Sequence, residues 1–196
     1  MIVAIILAAG ASSRMGRPKA LLPQPASGYS FVRHQIEVFK LAGTDEVVVV
    51  GRPGIPEVEA EAIAAGALFR LNQTPSRGQL SSLLVGIDRA EDLGATAILS
   101  TPVDLPGISS VVVSSIIAAG RGGSHPIVRP THEGRGGHPV YFARAMFEEL
   151  RRMDPGIGAR GVLRADPARV LDLAVSDPGI LLDVDTPADY RRLTGG

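Results

Sequence analysis

The chain has 196 residues, enough for one sizeable α/β domain and its core, and its 20 basic and 20 acidic residues leave no net charge. That balance argues against a general nucleic-acid or membrane surface, which usually carries a basic excess, but it allows a local cationic pocket. Hydrophobic residues at 45% fit an ordinary globular protein, and the lack of cysteine excludes disulfides, thiolate catalysis and cysteine-ligated zinc or iron–sulfur clusters.

The first element is an apolar run from Ile2 to Ala9, rich in β-branched residues over 2–8. Such a run predicts a strand buried on both faces, as in a parallel sheet. No Lys or Arg precedes it, so the charged start of a secretory signal is missing. Nothing else approaches the length of a membrane span, and a cytoplasmic protein is expected. Residues 30–41 have helical spacing and stop at Gly43. A strand is expected over 46–50, a helix over 56–65, a short strand over 67–71 and a polar loop over 72–79. A helix over 80–90, a buried strand over 96–100 and a helix over 109–119 follow, then a glycine break at 120–123. Strands at 126–129 and 139–142 flank a glycine-rich loop, 134–137. A helix over 143–153, a loop over 156–161, a short helix over 162–165, strands at 170–173 and 180–184, and a helix over 187–193 complete the chain. Strands alternating with helices at this interval predict a single α/β domain over 1–196. Its expected form is a three-layer α/β/α sandwich around a mostly parallel, Rossmann-like sheet.

Ligands of such sheets bind outside the carboxyl ends of the strands. Three segments fall there. The first is Leu7-Ala8-Ala9-Gly10-Ala11-Ser12-Ser13-Arg14-Met15-Gly16-Arg17-Pro18-Lys19. An apolar run, then small residues, then spaced cations is the order of an anion cradle. Gly10 and Gly16 can take positive φ and let backbone N–H groups approach a ligand. The segment is neither a P-loop, because its glycines are one residue too far apart and Arg17 follows Gly16, nor a Rossmann fingerprint, because Ala8-Ala9-Gly10-Ala11 holds one glycine. The second segment, 101–106, sets Asp104 between two prolines. The third, 183–186, sets Asp183 and Asp185 at i and i+2, on one face of a strand. Thr186 and Pro187 also suit the N-cap and first turn of the last helix. His125, His132 and His138, with Glu133, match no usual zinc spacing.

The opening stretch resembles the signature L-A-A-G-x-S-x-R-M-G-x-x-K of the nucleotidyltransferases, in the branch that contains molybdenum-cofactor cytidylyltransferase. The related guanylyltransferases typically open Leu-Ala-Gly-Gly, so Ala9 favours the cytidylyl branch. The resemblance runs from this loop to Asp183-Val184-Asp185-Thr186-Pro187. It implies a nucleoside triphosphate bound by Leu7, Ala8, Ala9, Gly10, Ser12, Arg14 and Lys19, together with Gly78, Ser81 and Ser82. It implies Mg2+ on Asp104 and Asp185, with Arg14, Lys19 and Asp104 serving the reaction. Val103-Asp104-Leu105-Pro106 stands where the family often has Cys-Asp-Met-Pro, and keeps the acid. Gly137-His138-Pro139 and Gly158-Ala159-Arg160 resemble acceptor-side elements, which makes His138 and Arg160 acceptor-binding candidates. The implied reaction moves CMP from CTP onto a phosphate-bearing acceptor, molybdopterin, and releases pyrophosphate. A guanylyltransferase of the same pathway, a sugar- or alditol-phosphate nucleotidyltransferase and a non-catalytic nucleotide sensor are the alternatives.

Overall fold

The structure is a computed structural model that describes residues 1–195. Strand β1 (Ile2–Leu7) is buried at every position and lies at the centre of one sheet. Its residues alternate between two cores, because successive side chains of a strand point to opposite faces. Ile2, Ala4 and Ile6 face α1 (Phe31–Leu41), α2 (Pro56–Ala64) and α4 (Ser110–Arg121). Val3, Ile5 and Leu7 face α3 (Gln79–Asp92) and α5 (Phe147–Arg152). Gly86 of α3 packs against Ile5, where a β-carbon would collide with the isoleucine side chain. A fully apolar strand is thus the sequence mark of a three-layer α/β/α arrangement, as expected.

The remaining strands are β2 (Glu46–Gly51), β3 (Leu68–Leu71), β4 (Ala97–Pro102), β5 (Ile127–His132), β6 (Arg135–Gly136), β7 (Val140–Ala143) and β8 (Val170–Ala174). They run in the order β3-β2-β1-β4-β7-β5-β6, with β8 paired to β5. The β1–β2, β1–β4, β2–β3 and β5–β8 pairs are parallel, while β7 is antiparallel to both β4 and β5. The sheet is therefore mixed but mostly parallel. Helices α1 and α2 link β1 to β3 on one face, and α3 returns to β4 on the other. The strand order reverses between β1 and β4, and that switch point opens a crevice at their carboxyl ends.

Three expectations are corrected. The strand expected over 180–184 is absent: Pro178–Leu181 forms a 3-10 turn and residues 182–185 have no regular structure. Asp177 caps that turn by accepting from the Gly179 N–H at 2.8 Å. Ile180 and Val184 are apolar because this strap covers the core, where both are buried, and not because they sit in a sheet. The helix expected over 143–153 begins later, since Ala143 ends β7 and Arg144–Met146 is a 3-10 turn before α5. The break expected at 120 comes two residues later, because α4 runs through Gly120, whose missing side chain makes room for the Tyr141 ring, to Arg121.

The strap is held by close backbone contacts. A β-carbon on Gly107 would stand 3.1 Å from the Gly179 Cα, and one on Gly137 would stand 2.5 Å from the Ile180 carbonyl oxygen. Ile180 O accepts the His138 N–H at 3.1 Å, and Asp104 O accepts the Val184 N–H at 2.8 Å. Gly179→Ala is expected to lower stability by about 1–3 kcal/mol, the usual cost of overpacking. Thermal or urea denaturation checks it; an unchanged transition would mean that the two backbones separate freely.

Candidate functional site

Strands β1 and β4 end side by side, with Leu7 in register with Pro102. The Val103 N–H donates to Leu7 O at 3.1 Å, and the Ala8 N–H donates to Val50 O at 2.8 Å, so the opening loop leaves a fixed base. Gly16 takes positive φ (71°), as expected, but Gly10 does not; Ser12 is the left-handed residue, at 51°. Ser12 also closes the loop, because its hydroxyl accepts the Lys19 backbone N–H at 3.2 Å. Pro18 then leads into a 3-10 turn, Lys19–Leu21.

That turn delivers Lys19 to the two acids singled out in sequence. Its ammonium donates to Asp104 Oδ2 at 2.9 Å and also to Asp185 Oδ1. Arg14 reaches Asp185 Oδ2 from the solvent side at 3.3 Å. The Lys19 side chain is 11% exposed and that of Asp104 24%, whereas Arg14 is 72% exposed. The Lys19 contacts are therefore the shielded ones, and the Arg14 pair is a screened surface contact. Burial works against the Lys19 charge, but the hydrogen bonds it donates to Asp185 and Asp104 outweigh it and raise its pKa above the usual lysine value. The same Lys19 hydrogen bond, then its charge and that of Arg14, holds Asp185 below the usual carboxylate range.

Asp183 does not share the face of Asp185. Without a strand the two acids part, Asp185 to one cleft and Asp183 to a neighbour. The first cleft, about 370 Å³, is lined by the opening loop and by every residue expected to touch the nucleotide except Ser81. Ser81 is occupied: its hydroxyl donates to Gly78 O at 2.7 Å and accepts from Asn72 Nδ2 at 2.9 Å. Asn72, fully buried, also donates to Ser82 Oγ and thereby sets the start of α3. Gly78 stands before that helix at φ 91°, and the uncapped first turn faces the cleft.

The second cleft, about 700 Å³, meets the first at Leu7, Gln79, Pro102 and Asp104. It holds both acceptor-side candidates, His138 and Arg160, with Arg160 as the first residue of α6 (Arg160–Ala165) rather than in the preceding loop. His138 Nδ1 lies 3.3 Å from Ser100 O; a carbonyl only accepts, so Nδ1 carries the proton in the neutral ring. Burial lowers the His138 pKa, partly offset by that hydrogen bond, and the ring is neutral at physiological pH. The fixed cations are arginines. Arg135 and Arg164 line the cleft beside Arg160, and Arg129 lines it while held bidentate by Asp172 at 2.8 Å. Sequence reasoning missed Arg129, Arg135 and Arg164 because they are spread over β5, β6 and α6. It missed Gln79 because a first-turn glutamine looks like any helix start.

No group of three or more metal-ligating side chains occurs among the described residues. Asp104 and Asp185 nevertheless converge on one cation, the Lys19 ammonium, at the junction of the two clefts. Two carboxylates suit a hard divalent ion that takes its other ligands from phosphates and water.

Residues 4–170 match the family described as the MobA-like NTP transferase domain. The chain belongs to that family. A probable molybdenum cofactor guanylyltransferase of Mycolicibacterium paratuberculosis is 28% identical over 96% of this chain and 93% of its own. The purine catabolism protein PucB of Bacillus subtilis is 26% identical over 96% and 94%. The solved structure of Rv0371c from Mycobacterium tuberculosis superposes with a TM-score of 0.84 at 31% identity, covering 100% of this chain and 97% of that one. A second Rv0371c structure is a complex with manganese, at a TM-score of 0.78 and 29% identity over 100% and 98%. The family expectation thus stands for this MobA-like transferase, whereas the cytidylyl assignment from Ala9 finds no support among these names. No helix of the described residues is long and apolar enough to cross a membrane.

The Lys19–Asp185 pair has a pH signature. A depressed carboxylate pKa adds stability in full above about pH 4, and the gain fades as pH falls toward the depressed value. The raised Lys19 pKa adds stability that persists to alkaline pH and is lost only above the usual lysine range. Asp185→Asn is expected to flatten the acid side of a plot of melting temperature against pH. A wild-type and variant pair with parallel acid limbs would remove the coupling.

Proposed function

We propose that this MobA-like protein transfers a nucleoside monophosphate from a nucleoside triphosphate to a phosphate-bearing acceptor of the molybdopterin type. The carrying observation is the Lys19–Asp104–Asp185 node at the meeting line of two clefts, one bounded by the cradle loop and the other by arginines. An acceptor phosphate oxygen attacks the α-phosphorus, the new P–O bond forms, the α–β bridging bond breaks, and pyrophosphate leaves. The acceptor phosphate is already ionised near neutrality, since its second pKa is about 6, so no side chain need remove a proton. That agrees with a neutral His138 that orients the acceptor, and with Arg160, Arg135 and Arg164 as its countercharges. Lys19 pairs with the phosphates where charge builds up on the leaving group, and Arg14 closes over them from the solvent side. A divalent cation, magnesium or manganese, would be held by Asp104 and Asp185 and would neutralise phosphate charge.

GTP is the favoured donor, because molybdenum-cofactor relatives of this chain are named guanylyltransferases. Ala9, which takes the place of the first glycine in the Leu-Ala-Gly-Gly opening of that branch, supports CTP as the second reading. A pyrophosphate-release assay with GTP, CTP, ATP and UTP against molybdopterin and a sugar phosphate decides between them. Release with GTP and molybdopterin is expected. Release with CTP alone would reinstate the cytidylyl reading, and nucleotide binding without release under any pairing would sink the enzyme reading.

Two variants separate the clefts. Lys19→Met is expected to lower kcat by about 10²–10³-fold, as for other lost transition-state donors. Arg160→Ala is expected to raise the acceptor KM by roughly tenfold, the worth of one charge-assisted hydrogen bond, while the nucleotide KM stays unchanged. Steady-state kinetics with each substrate varied in turn reads both; wild-type constants in either variant would remove that residue from its cleft.

A further inference from the structure

The loop that carries Asp104 supplies few hydrogen-bond donors of its own. It runs Pro102-Val103-Asp104-Leu105-Pro106, and neither proline has an N–H. Its buried carbonyls must find donors elsewhere. One of them, on Asp104 itself, takes the Val184 N–H. Two others point to α1, where Gln35 donates from Nε2 to Pro102 O at 3.1 Å and to Leu105 O at 3.1 Å. Both partners are carbonyl oxygens, which only accept, so the amide nitrogen must be the atom that faces them. One side chain thus ties together the two residues that bracket Val103 and Asp104.

Gln35 is an odd choice for its position. It is 1% exposed, on a helix face otherwise made of Phe31, Val32, Ile36 and Phe39, all fully buried. Its Oε1 has no hydrogen-bond partner among the described residues. A buried polar oxygen without a partner is unfavourable, and methionine would fill the same space without it. The two donated hydrogen bonds are what the glutamine contributes there.

We propose that Gln35 is a positioning residue for Asp104: by fixing the carbonyls of Pro102 and Leu105 it sets where the Asp104 carboxylate meets Lys19 and Asp185. The inference rests on the role given to Asp104 under the proposed function. Gln35 touches neither cleft, and it acts only through the loop. Groups of this kind hold a site's geometry, and their loss typically costs about 10–100-fold in metal affinity or activity. A misplacement of about 1 Å is enough for such a loss.

The test uses Gln35→Met, similar in length but without donors, beside the wild-type chain. Three readouts are taken: manganese affinity in the presence of GTP by electron paramagnetic resonance, amide hydrogen exchange at residues 103–105 in the metal-free protein, and kcat with the GTP KM. Manganese affinity and kcat are expected to fall about 10–100-fold with little change in the GTP KM, while the melting temperature drops because two carbonyls lose their Gln35 donor. Exchange at 103–105 is expected to quicken. A space-filling role would leave all three readouts at wild-type values, and that outcome overturns the inference. Gln35→Asn, too short to span both carbonyls, carries the same expectations and the same overturning result if the methionine variant does not fold. Wild-type protein that binds no manganese with GTP would remove the metal role of Asp104 and the inference with it. Normal wild-type binding with unaltered variants removes the role of Gln35 alone.

Discussion

Lys19 stands between two carboxylates that lie 81 positions apart in sequence, and much of the candidate site follows from that contact. Two aspartates so placed would repel each other and one would protonate, unless a cation lay between them. A unit charge pair at 4 Å is worth about 4 kcal/mol at an effective dielectric of 20, larger than the helix-terminus effects of about 1 kcal/mol that the cleft also offers. The ammonium therefore decides the local charge, and the backbone N–H groups of the cradle refine it. A chain with no net charge can hold such a site because charges of both signs are concentrated at one crevice.

The contact exists because three separate backbones are brought to the same place. The opening loop is closed on Lys19 by Ser12. The Asp104 loop is held by hydrogen bonds from Gln35 and from the Val184 N–H. The strap before α7 (Pro187–Thr194) lies against Gly107 and Gly137, where no side chain intervenes. Thr186 fixes the far end of the strap through a reciprocal cap with Asp189, so Asp185 is the last residue before a rigid helix start. Each clamp is a short-range steric or hydrogen-bonded contact, and together they place charges that attract over longer range.

Asp104 also divides the crevice. One side has walls of small residues that let a polyphosphate approach the backbone. The other has an apolar floor that includes Leu80, Leu83 and Phe142, with arginines around it. This asymmetry suits two anionic substrates of different size meeting at one atom. Arg129 is tied to Asp172, its register partner across the β5–β8 pair, while Arg135, Arg160 and Arg164 make no ion pair among the described residues.

Periodicity and composition read from the sequence were enough for the layered α/β form, because a strand buried on both faces leaves an unbroken apolar run such as residues 2–8. The same pattern marked the opening loop and the acids at strand ends as candidates, whereas the choice of Arg14, Lys19, Asp104 and Asp185 came from the resemblance to the nucleotidyltransferase signature. The strap was misread because burial produces the same apolar spacing in a coil packed on a core as in a strand. Gln35 was passed over, although an amide on the apolar face of α1 was a visible signal. Which cations share a cleft, which acid turns to which side and which serine is already occupied were decided only by tertiary structure. Those outcomes depend on contacts between residues far apart in the chain, and local spacing carries no record of them.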